Sequence, residues 1–248
     1  MPTATVATVA RNTLIGLLPR EEGRELESLC RPVLLQPGEI LQEADAPTRH
    51  VYFPTDALVS LFVTLEQRPT VEVAKVGHEG LVGIQLALGA RSAPLMAVVQ
   101  EGGTALRVDA EDFCDRFDAS LALQAAVHRH AQITLRQLSA STACLHMHQL
   151  ASRLARCLLM TQDRVGPTSI HVTQQFLADM LGVRRVGITA AAKEMQRSGL
   201  IDYSRGTLTV LDRQGLRAAS CNCYKIDRML FSTLLKPPAV RQPSTQAR

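Results

Sequence analysis

Arg185, Thr189 and Lys193 recur at every fourth position, which on an α-helix places them on one stripe, with Arg184 just ahead of them. That is the chemistry of a DNA reader. A guanidinium can bond two acceptors of guanine in the major groove, a threonine can touch a base edge or a methyl, and a lysine neutralises phosphate. Gln196 extends the stripe, Arg184 is expected on phosphate, and Glu194 is expected to point elsewhere. Upstream, Leu177 and Leu181 form the inward face of a first helix, Ala178 is small where a second helix would cross, and Gly182 can take a left-handed turn. Val183, Ile188 and Ala191 then seat the second helix. Thr173 is a suitable N-cap, and with Gln174 beside it joins the expected DNA contacts. These offsets predict a helix-turn-helix. Gly187 costs ~1 kcal/mol of helix stability, which close packing or a backbone approach must offset. After Ser198-Gly199, residues 200–204 and 207–211 alternate around Arg205-Gly206 and predict a two-stranded wing with Arg205 at its tip, in reach of phosphate.

Other chemistry is sparse. Six scattered cysteines fit reduced thiols rather than a disulfide framework. Cys144 and His148 lie one helical turn apart, which supports an alternative reading as a thiol-based redox sensor or thiol enzyme. Cys221 and Cys223 are too few for a four-ligand zinc site unless Cys144, Cys157 or a second subunit contributes, so surface thiols and no metal site are expected. His128, His130 and His146 are read as solvated. No Gly-rich phosphate loop, nucleophile elbow or carboxylate pair occurs, so no catalytic residue is assigned and no enzyme is expected.

What must position the stripe is a chain of 248 residues and 27.0 kDa, long enough for two domains. Hydrophobic residues at 46% against 20% charged exclude a disordered chain. No run approaches the ~18 apolar residues of a membrane span, and the first twenty residues do not read as a secretory signal, so a cytoplasmic location is expected. Charge is segregated: residues 1–118 hold 10 basic and 17 acidic side chains, residues 119–248 hold 17 and 6. The basic half is the one that carries the stripe, as a partner polyanion requires. Short β-rich segments punctuated by Gly and Pro run from about residue 32 to 108 and predict an antiparallel barrel or sandwich. Residues 110–160 contain neither Gly nor Pro and predict a long helix, or two. Within them Val127, Ala131, Thr134, Leu138, Thr142 and Leu145 follow four-three spacing, the pattern of a helix pairing with a second copy of itself.

The order of these features resembles the Crp/Fnr-type transcription regulators over residues 14 to about 223. Matching motifs are Pro37-Gly38-Glu39, His50-Val51-Tyr52-Phe53, Gly77-His78-Glu79-Gly80-Leu81-Val82-Gly83 and Arg153-Leu154-Ala155, followed by the winged helix-turn-helix. The resemblance implies an α+β chain. It would comprise an N-terminal antiparallel β-roll of the cyclic-nucleotide-binding jelly-roll kind with short leading helices (1–118), a long dimerisation helix (119–149), a winged helix-turn-helix (150–236) and a flexible tail (237–248). It also implies a homodimer on a pseudo-palindromic stretch of double-stranded DNA, with RNA polymerase as a further partner. Cyclic-AMP-binding members carry Gly-Glu-Leu, whose glutamate takes the ribose hydroxyl, then Arg-Ser-Ala, whose arginine holds the phosphate. Here Gly83-Ile84-Gln85-Leu86 lacks the glutamate although Arg91-Ser92-Ala93 is present. Gly83, Gln85, Arg91 and Ser92 are thus the candidates for an effector site, with a cyclic nucleotide not expected. The N-terminal cysteine cluster of the iron–sulfur branch is missing, since only Cys30 lies there.

Overall fold

The computed structural model describes residues 12–65, 68–166 and 169–234; the expected tail at 237–248 lies outside them. Two helices, α1 (Thr13–Gly16) and α2 (Arg20–Leu29), lead into the roll. Asn12 starts them: its side chain caps Ile15 N–H and its amide donates to the Pro54 and Gly80 carbonyls, tying the entry to two loops. Then come β1 (Arg31–Leu35), β2 (Ile40–Gln42), β3 (His50–Pro54), β4 (Leu58–Leu65), β5 (Arg68–Val76), a single 3₁₀ turn (Ile84–Leu88), β6 (Met96–Glu101) and β7 (Gly103–Asp109). They form two antiparallel sheets, ordered β1-β7-β3 and β2-β6-β4-β5, closed over Val59, Leu61, Val99 and Ala105. All of these strands but β2 fall on β-rich segments of the sequence. The short β2 carries no usable periodicity, with Ile40 half exposed.

The stretch without Gly or Pro is three helices: α3 (Ala110–Ala119), α4 (Leu121–Met147) and α5 (Leu150–Val165). Polar residues make the breaks. Ser120 is extended and its hydroxyl caps Leu123 N–H, and His148 and Gln149 are both extended between α4 and α5. Helix α4 lies against the roll, burying Leu123, Ala126 and Val127 with Phe53, Leu81 and Phe113. Here the sequence expectation of a partner-facing Val127 is corrected: Val127 is 0% exposed inside its own chain. Ala131, Thr134 and Leu138 are half-buried towards the roll, and of the six only Thr142 and Leu145 are exposed. The exposed four-three row is one residue on, at Leu121, Ala125, His128, Gln132, Leu135, Ser139, Thr142 and His146. Both rows have the same period, and the position of the roll sets which one is free.

The remaining chain is β8 (Ile170–His171), α6 (Gln174–Leu181), α7 (Arg185–Arg197), β9 (Ile201–Ser204), β10 (Thr207–Val210), α8 (Arg213–Ala219) and α9 (Cys223–Leu234), with a β8-β10-β9 sheet. Its core is an inward row on α7, Ile188, Ala192 and Met195, set against Leu154 and Leu158 of α5, Leu177 and Ala178 of α6, and Tyr224 of α9. This core is shared with the roll. Phe62 of β4 and Phe176 of α6 meet edge to face at 6.0 Å, and Glu79 pairs with Arg164 of α5 at 2.7 Å with both side chains 5% exposed. Burial, the largest single effect, pushes the Glu79 carboxyl up, but the Arg164 guanidinium, a backbone hydrogen bond and His78 together outweigh it and hold the group below its ordinary value. A second buried pair, Arg156–Asp227 at 2.8 Å, joins α5 to α9.

Candidate nucleic-acid interface

The turn between α6 and α7 is built as its residue types predict. Thr173 caps α6 by accepting from Phe176 N–H at 3.1 Å. Gly182 ends the helix at φ 62°, ψ 40°, and Val183 N–H then donates to the Ala178 carbonyl at 3.0 Å. Arg184 is extended and Arg185 opens α7. Gly187 is explained by packing, since a Cβ there would stand 3.0 Å from Leu150 Cδ2 of α5.

Arg184, Arg185 and Lys193 are exposed, and none forms an ion pair among the described residues. Thr189 is half-buried, its hydroxyl 2.6 Å from Gln174 Oε1 and 3.1 Å from the Arg185 carbonyl. Thr189 and Gln174 therefore brace one helix against the other as well as lying at the surface. Gln196 departs from the predicted stripe: it is half-buried and its amide donates to the Tyr203 carbonyl at 3.3 Å, which holds the wing to α7. The face that α7 does expose includes Val186 at 73% and Arg197, which pairs with Glu194. Sequence reasoning gave Arg197 no role; its i+4 spacing from Lys193 was the signal.

The wing is a tight hairpin with Arg205 at φ 50° and Gly206 at φ 80°. Tyr203 Oη donates to the Val172 carbonyl at 2.7 Å and Val172 N–H to the Gly206 carbonyl at 2.8 Å, so the wing is anchored to the strand ahead of α6. Arg205 is exposed at its tip.

The four effector candidates do not converge. Gly83 and Gln85 line a cavity of about 200 Å³ between the roll and α4, walled by Leu61, Leu81, Leu95, Ala131 and Leu138. The Gln85 amide is spent on Gln42 at 2.7 Å and Thr48 at 2.5 Å. Arg91 and Ser92 are exposed outside this wall. His130, expected in solvent, is 1% exposed beside the cavity with Nε2 3.2 Å from the Leu81 carbonyl.

The expected surface thiols are also corrected. Cys144, Cys221 and Cys223 are 2%, 7% and 6% exposed and cluster together. The Cys144 sulfur meets Cys221 at 3.5 Å, while the His148 ring meets Cys223 rather than Cys144. The Cys144 sulfur, as the hydrogen-bond partner, pulls the Cys221 thiol down to about 5 against the effect of burial.

Residues 152–219 match the model of the Crp-like helix-turn-helix domain. A search of curated proteins by sequence found no match. Among solved structures the chain is similar to FixK2 from Bradyrhizobium japonicum (15% identity, 77% of this chain and 98% of that one, TM-score 0.66). It is similar to a Crp/Fnr-family transcriptional regulator from Thermus thermophilus (18% identity, 77% and 98%, TM-score 0.63). It is also similar to the c-di-GMP-responsive global regulator CLP from Xanthomonas campestris (15% identity, 78% and 100%, TM-score 0.63). Matched by sequence in its recognition unit and by shape along most of its length, the chain carries a Crp-like helix-turn-helix domain on the fold of the Crp/Fnr transcription regulators.

Proposed function

We propose that the protein is a transcription regulator that binds duplex DNA as a homodimer, acting by binding rather than catalysis. One observation carries this: Arg184, Arg185 and Lys193 stand exposed, with no ion pair among the described residues, at the start and along the helix that follows the turn, beside a wing tipped by Arg205. With α7 in the major groove, Arg185 bonds a guanine edge, Arg184, Lys193 and Arg205 meet phosphates, and the exposed Val186 touches a thymine methyl. The α6 N-terminus at Thr173 and Gln174 offers further N–H groups to the backbone. Two copies joined along the exposed face of α4 place two recognition helices about 34 Å apart, or a multiple of it, on a pseudo-palindrome. RNA polymerase is the expected further partner and the cytoplasm the expected place. Among the described residues no helix is long and apolar enough to cross a membrane.

The cavity between roll and α4 is the effector site in this reading. Its wall is apolar and Arg91 is not part of it, which favours a small apolar ligand over a cyclic nucleotide. The decisive experiment selects bound fragments from random duplexes with the full chain and titrates the winner against salt. A twofold-symmetric consensus with affinity falling steeply in salt is expected. Recovery of unbiased sequence, or binding indifferent to salt, overturns the reading.

A further inference from the structure

Cys144 and His148 stand at the end of α4, and Cys221 and Cys223 precede and open α9, more than seventy residues further on. The fold brings one ligand atom from each within 4.8 Å of every other. Tetrahedral zinc with bonds of ~2.3 Å to sulfur and ~2.0 Å to nitrogen needs ligand atoms roughly 3.5–3.8 Å apart. Two of these approaches, 3.5 Å between the Cys144 and Cys221 sulfurs and 3.8 Å between Cys223 Sγ and His148 Nδ1, already have that spacing. We propose that Cys144, His148, Cys221 and Cys223 form a closed, four-ligand Zn²⁺ site that clips the end of α4 to the start of α9.

The donor set is decisive for the class of metal. Three thiolates and one imidazole suit zinc, whereas calcium and magnesium take oxygen. All four positions are protein ligands, so the site has no open place for substrate and its role is structural. Counted from three neutral thiols and a neutral imidazole, binding forms three Zn–S bonds and one Zn–N bond and releases three protons to solvent, with nothing oxidised or reduced. The product carries one net negative charge. Arg153 and Arg156 act on these sulfurs from α5, and Arg153 has no carboxylate partner among the described residues. The Cys223 backbone also favours the Cys221 thiolate, the kind of support that a metal-bound sulfur needs. A Cys144–Cys221 disulfide would use two sulfurs and leave the third thiol and the imidazole beside it without a purpose.

Position gives the site a consequence. The clip spans the break at His148 and Gln149 where α4 gives way to α5, the only covalent route from the long helix to the recognition unit. Zinc therefore fixes how the recognition helices are presented, independently of whether DNA is the partner.

The test uses the full chain purified without chelators. Elemental analysis should find one zinc per chain. The apo chain titrated with Co²⁺ should develop thiolate-to-cobalt charge transfer and intense tetrahedral d–d bands that saturate at one equivalent. Cys221→Ser and His148→Ala should each weaken cobalt binding at least about a hundredfold. Cys30→Ser and Cys157→Ser should change nothing. Less than about a tenth of a zinc per chain with no tetrahedral cobalt spectrum overturns the site, and so does peptide mapping that finds Cys144 disulfide-bonded to Cys221. Since the wild-type cobalt spectrum alone decides, a variant that fails to fold cannot rescue the proposal.

Discussion

Arg185→Ala separates reading from mere attraction. The side chain is exposed at the first residue of α7 and forms no ion pair among the described residues, so its loss strands no partner. Folding stability should stay within about 0.5 kcal/mol, which lets any change in binding be read as a lost contact. One bidentate guanine contact discriminates by ~1–3 kcal/mol. The proposed twofold dimer presents it twice, so preference for the selected operator over a scrambled duplex should fall by about 2–6 kcal/mol, roughly thirtyfold to twenty-thousandfold. Lys193→Ala should act differently, weakening both duplexes alike and lowering the slope of log affinity against log salt by about 2, from ~0.9 for each of two phosphates. Fluorescence anisotropy with both duplexes at several salt concentrations measures the two quantities together. If Arg185→Ala keeps the wild-type preference, the assignment of α7 as the reading helix at this register is wrong.

The remaining predictions concern assembly, packing and pH. Leu135→Glu, on the exposed row of α4, should split the dimer in light scattering, whereas Val127→Ala should leave its mass unchanged and cost about 2 kcal/mol in denaturant melts; the reverse pattern would restore the original phase of the seam. Gly80→Ala should destabilise the chain by several kcal/mol, because a Cβ there lands 2.1 Å from His130 Cε1, in a ring with 1% exposure and no room to yield; a wild-type melting temperature would contradict the packing. Burial pushes the Glu101 carboxyl up to about 7, against Lys75 and the His171 backbone. The fold therefore favours its protonated form, a contribution present below about pH 4.5 and lost as pH rises towards 7. Glu101→Gln should accordingly raise the melting temperature at pH 8 and leave it nearly unchanged at pH 4, and an equal gain at both would exclude titration of this group.

What could be read from sequence was what is local. The helix-turn-helix is specified within about twenty residues by a cap, a small residue and a left-handed glycine, and every one of those does in the structure what its type suggests. The wing follows from Arg205-Gly206 and flanking alternation for the same reason. The phase of α4 was not legible, because four-three spacing fits two adjacent rows and only the roll, packed against Val127, decides between them. Gln196 looked like a base reader by spacing, yet the wing that claims it comes from a later segment. The thiol cluster was least legible of all. Its pairs are two and four residues apart, but their meeting depends on α9 returning to α4 across the whole recognition unit.

The loop between β5 and the 3₁₀ turn, with the turn itself, explains how the cavity and the recognition unit are linked. Leu81 and Gln85 wall the cavity and Glu79 pairs with Arg164 on α5, so one short segment touches both. Removing one partner of a buried ion pair costs about 3–5 kcal/mol, more than the 1–3 kcal/mol of a typical allosteric coupling. A ligand in the cavity can shift the equilibrium only by its difference in affinity between two conformations. It would therefore not suffice to break Glu79 from Arg164. The pair must travel intact, carrying α5 with the loop, while the change is absorbed where the chain is extended and side-chain contacts are few. Gln149, exposed and extended between α4 and the first turn of α5, is such a place, whereas His148 meets Cys223 at 3.8 Å; in the metal-free chain that joint would be the hinge through which a filled cavity re-aims Arg185.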